Sequence, residues 1–168
     1  MSRAELYWIT DAPRGRLGIM PRPRAGDWLV DELLSWRSAG VDVVVSLLAE
    51  NEVAELGLQE EPKLCHDVGL TYISYAIEDR DVPDASDEFF AFIDQLHDHL
   101  GNGCGVAIHC RMGIGRSSLV AACLLMKSGF LADDAFRSIS RDRGMRVPDT
   151  HSQIEWVRSI ARHLLGET

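Results

Sequence analysis

The segment Val41–Leu48 constrains the fold most, because it is β-branched and almost continuously apolar. A strand of that kind has no polar face to offer water. It suits a parallel sheet covered on both sides. Tyr7–Thr10 and Leu17–Ile19 read as short strands around a Pro13/Gly15 turn, Leu70–Ile77 as a further strand, and Gly103–His109 as a third inner strand. A helix is predicted from an Asp27 N-cap to Ala39, with Leu29, Leu33, Leu34 and Trp36 close to one face and Gly40 as its stop. Glu50–Gly57 and Glu61–Val68 read as short helices. Ser86 is predicted to cap an amphipathic helix carrying Phe89, Phe92, Ile93, Leu96 and Leu100 at helical spacing. Ser117–Lys127, Ala132–Arg143 and Thr150–Leu165 complete the helices. This order implies one α/β domain over residues 1–168, with a mostly parallel central sheet flanked by helices.

The chain's 168 residues carry a formal net charge of −9. Such a balance disfavours non-specific binding to nucleic acid or to anionic membranes. Any anion site must therefore be built locally. Cys65, Cys104, Cys110 and Cys123 form neither a C-x-x-C pair nor a metal-ligand spacing, and the histidines show none either. The stretch Met1–Asp11 does not read as a secretory signal, and no apolar run is long enough to span a bilayer. The expectation is a cytoplasmic protein with reduced thiols.

The chemistry lies in His109-Cys110-Arg111-Met112-Gly113-Ile114-Gly115-Arg116-Ser117, between a predicted strand and a predicted helix. Ligands of open α/β sheets bind at the carboxyl ends of strands. A loop entering a helix there aims several backbone N–H groups at one spot, and anions collect at such a spot. Gly113 and Gly115 let the chain approach an anion closely. Arg116 offers a planar fork that matches two phosphate oxygens. The guanidinium and the helix dipole both favour the thiolate form of Cys110, making it a ready nucleophile.

These residues resemble the protein-tyrosine phosphatase signature. Within that superfamily the chain is most similar to the small dual-specificity phosphatases, especially the kinase-associated type. Ser117–Leu125, Val44–Leu48 followed by Glu52, and Leu17–Pro21 extend the likeness over most of the chain. The resemblance implies that fold, a phosphocysteine intermediate on Cys110, and phosphate held by Arg116 and the loop from Arg111 through Met112, Gly113 and Ile114 to Gly115. It implies a mechanism without metal or cofactor.

The family's general acid is an Asp upstream, and its register in Ala76–Asp84 selects Asp79, with Asp81 as the alternative. The residue after the acid, often Gly in kinase-associated relatives, is Arg80 here. Ser117 corresponds to the hydroxyl that assists sulfur departure, or it simply caps the helix. His109 matches a buried His that orients the loop. Gln153 matches a residue that positions the hydrolytic water, or it is a helix-surface Gln. Arg143 and Arg146 add positive charge at the rim or are solvated helix-end groups. Trp8, Trp28, Trp36 and Trp156 read as core or cover, and Cys65 as a redox partner of Cys110 only if the two are close.

The implied activity is hydrolysis of phosphotyrosine in phosphoproteins, with phosphoserine or phosphothreonine as further substrates. The alternative is a non-protein substrate such as a phosphoinositide or inositol phosphate. Lipid-directed members place two Lys in the loop, whereas Arg111 and Ile114 stand here. The oligomeric state is left open.

Overall fold

The computed structural model describes residues 5–166. Residues 1–4 and 167–168, part of the expected 1–168 domain, lie outside the described residues, as does the start of the stretch read for a signal. The elements run β1 (Tyr7–Ile9), β2 (Arg16–Met20), α1 (Leu29–Ser38), β3 (Val43–Ser46), α2 (Glu50–Leu56), α3 (Glu61–Asp67) and β4 (Thr71–Ser74). They continue with α4 (Asp87–Gly101), β5 (Gly105–His109), α5 (Arg116–Lys127), α6 (Ala132–Arg143), α7 (His151–Ser159) and α8 (Ala161–Leu164).

The sheet order is β1-β2-β5-β3-β4. All neighbours are parallel except the β1–β2 edge pair, which is antiparallel. The apolar run behaves as its composition requires. Val43, Val45, Val106 and Ile108 pack on one face, while Val44 and Ala107 pack on the other. The first face is covered by α4, α5, α6, α7 and α8, and the second by α1 and α3. Helix α5 is buried from Arg116 to Met126, so its start is fixed rigidly at the end of β5.

Several expected boundaries move. The ladder of the central strand covers only Val43–Ser46, but Asp42 and Leu47 continue its pairing through bonds to Gly105 O and from Leu47 N–H to His109 O. Asp27 does not cap α1. It lies in a short 3₁₀ turn, Gly26–Trp28, whose carbonyl at Gly26 takes the Leu29 N–H. Leu34 is 43% exposed, off the face that Leu29, Leu33 and Trp36 bury. Trp28 is also no core residue; it is 56% exposed and stacks under the Arg24 guanidinium. The predicted helix Thr150–Leu165 is two helices. It breaks at Ile160, whose N–H bonds back three residues to Val157 O, a tightened last turn that turns the buried Ile160 side chain into the core.

Candidate active site

β5 ends at His109, and successive side chains leave it on opposite faces. His109 turns toward Trp36, on the α1 side, whereas Cys110 joins the α5 side. His109 is fully buried, with Nε2 donating to Glu61 Oε1 at 2.7 Å and Nδ1 lying 3.3 Å from Cys110 O. The buried His109–Glu61 pair lies directly beneath the first peptide of the loop. From above, Arg143 Nε donates to Gly113 O at 3.0 Å and its Nη2 to Met112 O at 3.3 Å, while the guanidinium stacks over Tyr7. Gly113 has φ 69°, and a side chain there would strike the backbone of Met20 and Pro21. The loop is thus held on three sides, and its shape requires that glycine.

The loop wraps a cavity of about 110 Å³ lined by Asp79, Arg80, Cys110, Arg111, Met112, Ile114, Gly115, Arg116, Asp149 and Gln153. Cys110 is only 3% exposed, and its Sγ is hydrogen-bonded with Ser117 Oγ at 3.4 Å. Ser117 is not the N-cap of α5; Gly115 takes that place, which frees the Ser117 hydroxyl for the sulfur. Gly113 and Ser117 are not among the lining residues.

Arg116 is buried, and Glu52 grips it from behind with two bonds, Nη1 to Oε1 at 2.6 Å and Nη2 to Oε2 at 3.0 Å. It also donates to Ile77 O at 2.8 Å and to Asp79 Oδ1 at 3.0 Å. Burial works against its charge, but Glu52, the Cys110 sulfur and Asp79 hold its pKa above the ordinary value. Burial likewise pushes the Glu52 carboxyl up, yet Arg116, the Ala49 N–H and Arg111 win and hold it low. Such a bidentate clamp fixes the plane of the guanidinium before any substrate arrives.

The two upstream carboxylates part company. Asp79 lines the cavity, half-exposed, against Arg116. Asp81 does not line it; its Oδ1 accepts the Val82 N–H at 2.8 Å. Gln153 is no surface residue. It is fully buried on the first turn of α7, where Thr150 Oγ1 and Gln153 Oε1 complete a reciprocal cap. Arg111 lines the cavity, but its guanidinium is drawn away to Glu52 and Glu55.

Cys65 lies in the α1–α3 layer, on the opposite face of the sheet from Cys110, and all four cysteines are free thiols. Burial and the nearby Glu61 push its thiol up to about 12. A redox pairing with Cys110 is therefore excluded by the sheet between them. Among the described residues no cluster of metal-ligating side chains occurs, and no helix is long and apolar enough to cross a membrane.

Sequence reasoning did not find Glu52 as the clamp on Arg116, Glu61 under His109, or Asp149 at the cavity wall. Composition alone carries no signal for choosing among 26 acidic residues.

The family model of the dual specificity phosphatase catalytic domain matches residues 37–161. A protein of Invertebrate iridescent virus 3 that carries a tyrosine phosphatase name is 34% identical over 98 residues, covering 56% of this chain and 38% of the viral one. The cyclin-dependent kinase inhibitor 3 of Sus scrofa is 28% identical over 137 residues, covering 76% of this chain and 63% of its own. The chain thus spans less than two thirds of the length of these relatives. A solved kinase associated phosphatase, with its catalytic cysteine substituted by serine, superposes with a TM-score of 0.87 at 21% identity, covering 100% of this chain and 99% of that one.

Proposed function

Because this chain belongs to the dual specificity phosphatase family, we propose that it hydrolyses phosphotyrosine, with phosphoserine and phosphothreonine as further substrates, in phosphoproteins. The observation that carries this is the convergence of Cys110, Arg116 and Asp79 on one cavity at the end of β5. Residues 1–168 serve as one catalytic unit, and the acidic chain, with its unpaired thiols, fits a cytoplasmic setting.

The phosphate enters against the loop, with Arg116 and the loop N–H groups on its equatorial oxygens. The Cys110 thiolate attacks phosphorus while Asp79 gives its proton to the leaving oxygen, producing a phosphocysteine and a free hydroxyl. Water then attacks the phosphocysteine. The P–S bond breaks, Ser117 donates to the departing sulfur, and Asp79 takes the proton of the water. Arg116 must let go of Asp79 for this. That contact is half-exposed and weakly held, whereas the buried Glu52 clamp stays in place.

Turnover of p-nitrophenyl phosphate and of phosphotyrosine peptides, compared between wild type and Cys110→Ser, tests the proposal. Wild type is expected to hydrolyse both, and the variant neither. Hydrolysis surviving in Cys110→Ser would refute it. Preference for phosphoinositides over peptides in the same panel would move the substrate class.

A further inference from the structure

Gln153 and Asp149 approach the loop at the same place. A Cβ built on Gly115 would overlap Asp149 Oδ1 and lie 2.9 Å from Gln153 Nε2. Both side chains therefore stand over the bare Cα of Gly115, and both line the cavity shared with Cys110 and Arg116. They are not hydrogen-bonded to each other.

Each keeps one unused valence there. Gln153 Nε2 directs one N–H at Asp81 O, 3.4 Å away, and Oε1 takes the Thr150 N–H. Its second N–H has no partner among the described residues. Asp149 Oδ2 is held by Arg80 Nη1 at 3.3 Å, and Oδ1 accepts no bond among the described residues. The arrangement offers a donor and an acceptor side by side over the loop, which is what a water molecule needs to be held in one orientation.

Positioning of the hydrolytic water by Gln153 is what the family resemblance already implies; beyond it, we propose that Asp149 is a second positioning residue that completes a water clamp and orients the nucleophile of the second step. This rests on the phosphatase reading above. Gln153 N–H donates to the water oxygen, and Asp149 Oδ1 accepts one of its O–H groups. The other O–H faces Asp79. As the oxygen bonds to phosphorus, the P–S bond breaks with its electron pair passing to Cys110 Sγ, and the second proton goes to Asp79. Asp149 stays ionised throughout and is not consumed.

Arg80 gives the clamp a link to the acid. It is the residue after Asp79, it adopts φ 61° without being glycine, and its side chain ties the Asp79 loop to Asp149 across the cavity.

The test separates the two chemical steps. Rapid-quench measurement of p-nitrophenol release from p-nitrophenyl phosphate reports formation of the phosphocysteine, and steady-state turnover reports its breakdown. In Asp149→Ala the burst rate is expected to stay near the wild-type value while kcat falls on the order of 10²-fold, the scale of a misplaced reacting group. Phosphoenzyme should accumulate, and added glycerol should capture a larger share of the phosphoryl group than in wild type. Asp149→Asn, which keeps an oxygen acceptor, should fall less. Equal losses in burst and kcat, or an unchanged burst, kcat and glycerol share, would overturn the clamp. Turnover retained in Cys110→Ser would instead remove the phosphatase reading, and the clamp with it.

Discussion

Asp79 and Asp81 stand two residues apart but serve different neighbours. Asp79 meets the Arg116 guanidinium at the cavity, and Asp81 closes a local bond with Val82 N–H. Asp79→Asn should therefore lower kcat for p-nitrophenyl phosphate on the order of 10²-fold and flatten the basic limb of its pH–rate profile. Asp81→Asn should leave that limb in place, and the two profiles measured together decide the assignment. Glu52 is tested by stability. Removing one partner of a buried ion pair costs about 3–5 kcal/mol. Glu52→Ala should sit near the lower end, since Arg116 keeps Ile77 O and Asp79, and urea melts would show it. The Glu52 carboxyl is held below its ordinary value, so its stabilisation is complete above the unfolded-state value of about 4.3. It fades as pH drops through the lower folded value. The gap between wild type and Glu52→Ala should therefore narrow in acid.

At the scale of elements, the loop depends on neighbours that contribute no chemistry. Helix α3 supplies Glu61, whose loss would strand the fully buried His109 Nε2 without an acceptor. Glu61→Ala should cost about 1–3 kcal/mol, the penalty of an unsatisfied buried donor. It should also weaken vanadate binding, because the His109 ring lies directly beneath the Cys110 carbonyl where the loop begins. Helix α5 holds the other end. Leu124 is buried against the helices around it. Leu124→Ala is expected to destabilise by about 2–5 kcal/mol through the cavity it leaves. A thermal melt checks the loss, and the surviving folded fraction should keep its KM.

For the whole molecule, the negative surface sets how substrates arrive. A protein of net charge −9 repels a free phosphate dianion at long range, although the cavity attracts it at short range. Raising salt from ~20 to ~150 mM shrinks the screening length to about 8 Å. kcat/KM for p-nitrophenyl phosphate should then hold or rise slightly, while that for a phosphopeptide flanked by Lys and Arg should fall. A fall for both would place a net positive field over the mouth. The parallel sheet and the loop were legible in the amino-acid order because each rests on local patterns. An unbroken apolar run must be covered on both faces, and Cys110, Gly113, Gly115, Arg116 and Ser117 occupy consecutive turns of one short segment. Which carboxylate serves which cation was not legible. Glu52 lies 64 residues from Arg116, Glu61 lies 48 from His109, and Asp149 lies 69 from Arg80. Any of many acidic side chains satisfies such a pairing on paper. Packing of α2 and α3 beneath the sheet, and of the segment before α7 over the Cys110 loop, decides which ones come within hydrogen-bond reach, because charge pairing falls off with distance in space and is blind to distance along the chain.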